Sequence, residues 1–291
     1  MIFRACVKKY EKLCEEKEIP VETVMAFLVE LSQRERYNLY LHFEEEMPSS
    51  LQQEFEAGMA RILNEEPMAH VLGYSWFYGY KMLVSGDVLI PREETEELCA
   101  KILNRIDQIF PGKEPLTGVD VGTGSGAIAI TLSKEEPRLQ MYASDISKEA
   151  IEMAKRNAKE NDAKIEFFVG DMLQPLIEKN IKVDVLVCNP PYIPEEEVME
   201  RSVVDFEPHV ALFGGEDGLK FYRQVFETCQ QVLKEKSFMA FEMGWNQKEA
   251  MEALLKEYFN GVKYDIIKDM NGKDRMLFVY FNCLEELGKK L

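Results

Sequence analysis

Asn189-Pro190-Pro191-Tyr192 is a tetrapeptide suited to one kind of chemistry. Two successive prolines remove two backbone N–H donors and stiffen the chain. The Asn189 side-chain oxygen and the Pro190 carbonyl can then face outward as acceptors, and Tyr192 adds a flat face for stacking. Such a site wants an NH2 group, because a carboxamide or an exocyclic amine brings two N–H donors in one plane. A rigid turn alone would account for the prolines but not for the asparagine and tyrosine around them.

A second group of residues could hold a cofactor. Gly122-Thr123-Gly124-Ser125-Gly126 follows Val119-Asp120-Val121, and an apolar stretch from Ala127 to Ser133 reads as a helix starting directly after it. Glycines there admit positive φ and let a ligand approach the free N–H groups of a helix start. Gly122, Gly124 and Ala127 also satisfy the relaxed dinucleotide fingerprint, so the loop alone leaves the cofactor open. Asp145 stands 23 residues beyond Gly122, at the end of the next strand, where a carboxylate can accept from both hydroxyls of a ribose. Any adenosine-containing cofactor would fit that arrangement. Asp171, in Val169-Gly170-Asp171 after a third strand, falls where an adenine edge would lie.

The elements that must position these groups are legible from periodicity. From Ile2 to about Leu72 the pattern is helical. Val24, Phe27, Leu28 and Leu31 form one buried stripe, and Leu51, Phe55, Met59, Ile62 and Leu63 form another. Pro20 is expected to open one helix and Ser50 to cap another, giving a bundle of about four helices. Gly73 to Pro91 is aromatic and β-branched, with turn residues at Gly79 and Ser85-Gly86-Asp87, and reads as a β-hairpin joining two domains. Beyond Pro91 the chain alternates helices and short apolar runs, the signature of βαβ units on a largely parallel sheet. Seven strands are predicted: 118–121, 140–144, 165–169, 183–188, 237–243, 262–267 and 276–281. The expected organisation is a helical domain over 1–72, a hairpin linker over 73–91 and an α/β domain over 92–291.

Composition narrows the function. The 291 residues are 46% hydrophobic and 11% aromatic, enough for two packed cores, so a disordered or fibrous chain is excluded. The chain carries 35 basic and 52 acidic side chains, a net charge of −17, and both parts are acidic, with 9 basic and 15 acidic groups in residues 1–90. Phosphate neutralisation would need a basic face, yet no basic run exceeds two residues, as in Lys8-Lys9 and Lys289-Lys290. Direct nucleic acid binding is therefore not expected. The run Glu195-Glu196-Glu197 reads as a solvated loop. Six scattered cysteines and three separated histidines show no ligand spacing, so no metal is assigned. Charged residues interrupt the first eleven positions, and no window approaches the ~18 apolar residues of a spanning helix, so a cytoplasmic protein with no membrane partner is the expectation, and a monomer is expected.

Together the glycine loop and the tetrapeptide resemble S-adenosylmethionine-dependent methyltransferases that modify NH2 nitrogens, whose motif is [DNS]-P-P-[YFW]. Further segments narrow the likeness. Glu66-Pro67 through His70 and Gly73, then Phe77, Gly79, Val84 and Leu89-Ile90-Pro91-Arg92-Glu93-Glu94-Thr95-Glu96, are similar to the linker and Pro-Arg-x-x-Thr-Glu segment of the release factor glutamine methyltransferases, the PrmC/HemK family. Phe206-Glu207-Pro208, Leu212-Phe213-Gly214-Gly215-Glu216-Asp217-Gly218-Leu219 and Phe241-Glu242-Met243-Gly244-Trp245-Asn246-Gln247 also resemble that family. The match runs from about residue 60 to the C-terminus, while the N-terminal helices agree only in character.

The resemblance implies a class I methyltransferase fold, with S-adenosylmethionine as cofactor and S-adenosylhomocysteine as product. It implies a peptide-chain release factor as the protein substrate, methylated on the glutamine of its Gly-Gly-Gln loop. By position, Gly122, Thr123, Gly124, Ser125, Gly126, Asp145, Asp171, Met172 and Asn189 would contact the cofactor. Asn189, Pro190, Pro191 and Tyr192 would hold the glutamine, with Asn189, Pro190 and Tyr192 acting in catalysis. Met172 departs from the pattern, since some members carry tryptophan there. Thr95 would line the cofactor pocket; alternatively Thr95 or Glu96 caps the helix that runs to Ile109. Other readings of the same residues are an adenine amino methyltransferase of nucleic acid, a catalytically idle cofactor-binding module with a protein-binding helical domain, and a nicotinamide dehydrogenase. The last has no use for the Asn-Pro-Pro-Tyr acceptors.

Overall fold

A computed structural model describes residues 1–197 and 204–283. Lys289-Lys290 lies outside the described residues. The chain divides into two compact units, one formed by residues 1–74 with 204–206 and the other by 75–197 with 207–283.

The first unit is helical. Its helices are α1 (Phe3–Glu16), α2 (Glu22–Ser32), α3 (Arg36–Leu41), α4 (Ser49–Ile62) and the short α5 (Met68–Leu72). The stripes read from the sequence meet in its core, where Val24, Phe27 and Leu28 of α2 pack with Phe55, Met59 and Ile62 of α4 and with Phe3 and Val7 of α1. The Phe27 and Phe55 rings stack with centroids 5.7 Å apart. Two helix starts differ from expectation. Pro20 lies outside α2, whose N-cap is Val21, and Ser50 lies inside the first turn of α4 behind Pro48, with no side-chain cap. Proline fixes its own φ and so ends the preceding loop at Pro48 without help from a serine.

From Tyr74, the last residue of the first stretch, β1 (Tyr74–Phe77) runs on into the second unit and pairs with β2 (Tyr80–Leu83) as a two-stranded sheet. Tyr78 and Gly79 both have positive φ, 52° and 80°, as a two-residue type I′ hairpin requires. The hairpin is shorter than the 73–91 stretch, and residues 84–91 run on as a loop. Next come α6 (Glu93–Ile109), β3 (Leu116–Val121), α7 (Ala127–Glu135), β4 (Leu139–Asp145), α8 (Lys148–Glu160), β5 (Ile165–Val169), α9 (Gln174–Glu178) and β6 (Val183–Cys188). The unit finishes with α10 (Lys220–Thr228), β7 (Leu233–Glu242), α11 (Lys248–Tyr258), β8 (Lys263–Lys268) and β9 (Asp274–Phe281).

The seven-stranded sheet has the order β5-β4-β3-β6-β7-β9-β8 and is parallel except for β9, which runs antiparallel to β7 and β8. Both faces are covered. One core gathers Leu98, Ile102 and Ile106 of α6 and Ile130 of α7 against Val185 and Phe238, and the other gathers Val225 of α10 and Leu254 of α11 against Leu186 and Met239. Burial on both faces explains why β6 reads as a continuous apolar run broken by Asp184, which takes the Lys234 ammonium at 2.7 Å. The run 195–197 is an exposed turn.

Candidate active site

Strand register brings the sequence-predicted residues together. Val121, the last residue of β3, is the partner of Ser144 in β4 and of Cys188, the last residue of β6. Asp145 is the partner of Val169 in β5, and Cys188 is the partner of Phe241 in β7. Gly122, Asp145, Val169, Asn189 and Glu242 thus stand at one level of the sheet's carboxyl rim. Successive strands depart in opposite directions from β3, so the rim opens between β3 and β6 at a topological switch point, the usual crevice for ligands in open α/β sheets.

A cavity of about 300 Å³ occupies that crevice. It is lined by Gly122, Thr123, Gly124, Ser125, Asp145, Asp171, Met172, Asn189, Pro191 and Thr95, together with residues 87–89, Pro91, Arg92 and parts of 208–224. Gly124 has φ +54°, and a Cβ placed there would meet nothing within 4 Å, so the loop backbone stays open toward the cavity. Gly126 is not a lining residue. A Cβ on it would stand 3.0 Å from that of Ala154, so this glycine serves the packing of α7 on α8.

Asp145 orders the loop before any ligand arrives. Its Oδ2 accepts from the Gly124 N–H at 2.9 Å and its Oδ1 from the Ser147 N–H at 2.9 Å, leaving further lone pairs toward the cavity. Burial raises its carboxyl above the ordinary value, against the pull of those N–H groups. Beneath the loop, Asp120 Oδ2 accepts from the Thr123 hydroxyl at 2.6 Å and the Ala129 N–H at 3.2 Å, while its Oδ1 is buried without a partner. Burial pushes the Asp120 carboxyl up to about 7. Asp171 accepts from Gln224 Nε2 at 2.6 Å, and the Met172 carbonyl accepts from the Ser144 hydroxyl at 3.0 Å.

The tetrapeptide is held from within. Asn189 donates through Nδ2 to Thr95 Oγ1 at 3.3 Å, and among the described residues its Oδ1 accepts no hydrogen bond. Tyr192 donates its hydroxyl to Glu242 Oε1 at 3.2 Å and is braced through its carbonyl by Gln247 Nε2 at 3.0 Å. Burial, then the neighbouring Glu242, raises the Tyr192 phenol. Pro190 and Tyr192 are not among the cavity-lining residues. The glycines after the tetrapeptide allow close packing: a Cβ on Gly214 would lie 2.5 Å from the Pro191 carbonyl oxygen, and one on Gly218 would lie 2.3 Å from that of Tyr192.

Thr95 lies inside the first turn of α6. The N-cap is Arg92 and makes no side-chain cap, so neither Thr95 nor Glu96 caps this helix. Their side chains go elsewhere: Thr95 donates to Glu242 Oε2 at 2.6 Å, and Glu96 accepts from the Tyr78 N–H at 2.7 Å. Glu207, which the sequence marks only through the Phe206-Glu207-Pro208 segment, is buried and accepts from the Ile90 N–H at 3.1 Å and from the Arg92 guanidinium, fastening one wall of the cavity. Gln247, Gln224 and Asn157 also brace the site, and no local pattern signals those contacts. Asn157 bonds to the Leu83 backbone and to the Ser125 carbonyl at 2.8 Å, which joins the hairpin to the glycine loop. A carboxylate amid apolar residues, as in Ala240-Phe241-Glu242-Met243, was the available signal for Glu242, since such a group is buried only with partners.

Residues 103–206 match the family model of the methyltransferase small domain, and residues 6–73 match that of the PrmC N-terminal domain. A release factor glutamine methyltransferase of Bacillus anthracis is 44% identical over 245 residues, covering 84% of this chain and 86% of the relative. The enzyme of the same name from Bacillus subtilis strain 168 is 45% identical over 213 residues, covering 72% and 74%. The chain belongs to the release factor glutamine methyltransferase family. A family member from Neisseria gonorrhoeae is 35% identical over 263 residues, covering 89% of this chain and 93% of its own. The catalytic domain of hMettl16, solved in complex with the MAT2A 3'UTR hairpin 1, matches with a TM-score of 0.56 at 15% identity, covering 88% of this chain and 90% of that one; the likeness is one of fold. As a methyltransferase of this family, the chain brings a glycine loop and an amide-capped rim to one crevice.

Proposed function

We propose that this chain transfers a methyl group from S-adenosylmethionine to the side-chain amide nitrogen of the glutamine in the Gly-Gly-Gln loop of peptide-chain release factors. The observation that carries the reading is Asn189, whose Oδ1 accepts no hydrogen bond among the described residues, lining the same cavity as the glycine loop and Asp145. The cavity suits the cofactor: the Asp145 carboxylate has lone pairs for two ribose hydroxyls, the loop backbone lies open, and Asp171 and Met172 line the side where an adenine would lie. When bound, S-adenosylmethionine supplies a methyl group activated by a positively charged sulfur, leaving S-adenosylhomocysteine as product.

An amide nitrogen is a poor nucleophile because its lone pair is delocalised into the carbonyl. Asn189 Oδ1 and the Pro190 carbonyl, accepting its two N–H protons, would aim it and draw that lone pair back toward nitrogen. Holding the nitrogen in line can recover roughly 7–11 kcal/mol of barrier. The amide once methylated is acidic enough to lose its proton without a dedicated base, so no histidine is needed. Tyr192 and Pro191 would bound the glutamine side chain. The helical domain over 1–72 would dock the protein partner, with the linker over 73–91 leading into the catalytic domain over 92–291.

The test is incubation with labelled cofactor and, separately, a release factor, the same factor with its Gly-Gly-Gln glutamine replaced by alanine, and duplex DNA. Label in the intact factor alone, on a glutamine peptide one methylene heavier, is the expected result. Label in DNA alone would overturn the proposal.

A further inference from the structure

An asparagine carboxamide has two faces of opposite character, an oxygen that accepts and an NH2 that donates, and a rotation about its last bond exchanges them. If the NH2 of Asn189 faced the crevice, it would meet the NH2 of an incoming amide, donor against donor. Something must hold the group one way round. Backbone stiffness from Pro190 and Pro191 cannot do so, because the side-chain torsion is independent of it.

The partners around Asn189 settle the direction one proton at a time. Glu242 sits on β7 one residue beyond Phe241, the register partner of Cys188, so it stands beside Asn189 at the rim. It is 3% exposed, and both its oxygens are taken: Oε2 by the Thr95 hydroxyl at 2.6 Å and Oε1 by the Tyr192 hydroxyl at 3.2 Å. A carboxylate only accepts, so Thr95 must spend its one proton on Glu242. What remains on Thr95 Oγ1 is lone pairs. Asn189, 3.3 Å away, can meet them only with its NH2, which turns Oδ1 outward. Arg275 supports the arrangement, reaching the Tyr192 hydroxyl at 3.5 Å and the Met243 carbonyl at 3.3 Å. Burial raises the Glu242 carboxyl, and the Thr95 hydroxyl, the Arg275 charge and the Tyr192 hydroxyl each oppose that shift.

We infer that Thr95 is a positioning residue for methyl transfer, oriented by Glu242 so that it fixes which face of the Asn189 carboxamide meets the substrate. The inference rests on the proposed role of Asn189 toward an amide nitrogen. It assigns the threonine of the Pro-Arg-x-x-Thr-Glu segment a duty distinct from helix capping and from cofactor contact.

Thr95→Val keeps the shape and removes the hydroxyl, and Thr95→Ser keeps the hydroxyl. In the full chain with a release factor, Thr95→Val should lower kcat roughly a hundredfold, as a misaimed group does, while KM for the factor and Kd for S-adenosylhomocysteine stay within about threefold. Thr95→Ser should retain about a third or more of kcat. Glu242→Gln, which sets an NH2 against one of the two hydroxyls, should cost about tenfold or more in kcat. An independent readout uses protein labelled with 15N at asparagine: the Asn189 NH2 signals should show slowed hydrogen exchange in the unaltered chain and in Thr95→Ser, and lose that protection in Thr95→Val. Unchanged kcat in Thr95→Val, equal losses in the valine and serine variants, or equal exchange in all three would overturn the inference. If the unaltered chain left the release-factor glutamine unmethylated, the proposed function would fail, and the exchange measurement would still decide whether Thr95 orients Asn189.

Discussion

At the scale of single residues, the site separates groups that touch a ligand from groups that hold those groups still. Asn189 belongs to the first kind under the proposed function, since among the described residues its oxygen accepts no hydrogen bond. Asn189→Ala should lower methyl transfer by at least about a hundredfold, measured in single turnover, with S-adenosylhomocysteine affinity by calorimetry within several-fold. Unchanged turnover would remove Asn189 from the chemistry. Asp120 belongs to the second kind and has a cost. The unfolded chain releases this proton near the ordinary 3.8, whereas burial keeps it on the folded protein up to about 7. Across that window the folded state binds more protons, so stability falls as pH rises from about 4 to 7 and the loss stays in place above it. Asp120→Asn keeps an acceptor for Thr123 and Ala129 and removes the titration. Its stability relative to the unaltered chain should therefore improve by roughly 1–3 kcal/mol between pH 5 and pH 8, read from denaturant melts at both values. An equal difference at the two pH values would mean that Asp120 ionises as an ordinary carboxylate.

At the scale of elements, the carboxyl rim is precise because the loops behind the tetrapeptide brace it backbone to backbone. Gly214 donates to the Ile193 carbonyl at 2.8 Å, and Ile193 donates to the Leu212 carbonyl at 3.1 Å. Gln247 then ties the Tyr192 carbonyl to that of Gly218, at 3.0 and 3.3 Å. A methyl group on Gly218 would press on the Tyr192 carbonyl and on Gln247 Nε2, and the residue also has φ +73°. Gly218→Ala should cost about 1–3 kcal/mol of stability. Because the strain falls on the acceptor loop and not on the glycine loop, kcat should drop well beyond any change in cofactor affinity. Equal losses in both would place the strain elsewhere.

At the scale of the molecule, each of the two units holds its own apolar core, the first around Phe27 and Phe55 and the second on the two faces of the sheet. The net charge of −17 is spread over both parts of the chain, and under the proposed function the helical unit would be the surface that a protein substrate meets. Under the proposed docking role, deleting residues 1–70 should lower kcat/KM for an intact release factor by more than about tenfold and leave that for a short glutamine peptide within about threefold. Equal losses for the two substrates would contradict docking by this unit. Among the described residues no helix is long and apolar enough to cross a membrane.

The sequence by itself determined the α/β architecture, the seven strands, with β5 and β6 to the residue, and the position of the glycine loop and the tetrapeptide at strand ends. These follow from hydrophobic period, turn residues and proline, all of which act over a few residues. Helix starts were less legible, as Ser50 and Thr95 show, because a hydroxyl near a helix start has several partners to choose from and the neighbourhood chooses. Only the tertiary structure decided which strand ends stand side by side and what each buried polar group holds. Thr95 meets Asn189 across 94 residues and Glu242 across 147, and no local pattern carries that information. Burying a carboxylate is unfavourable without donors to meet it, so the packed interior selects those partners from wherever the chain brings them.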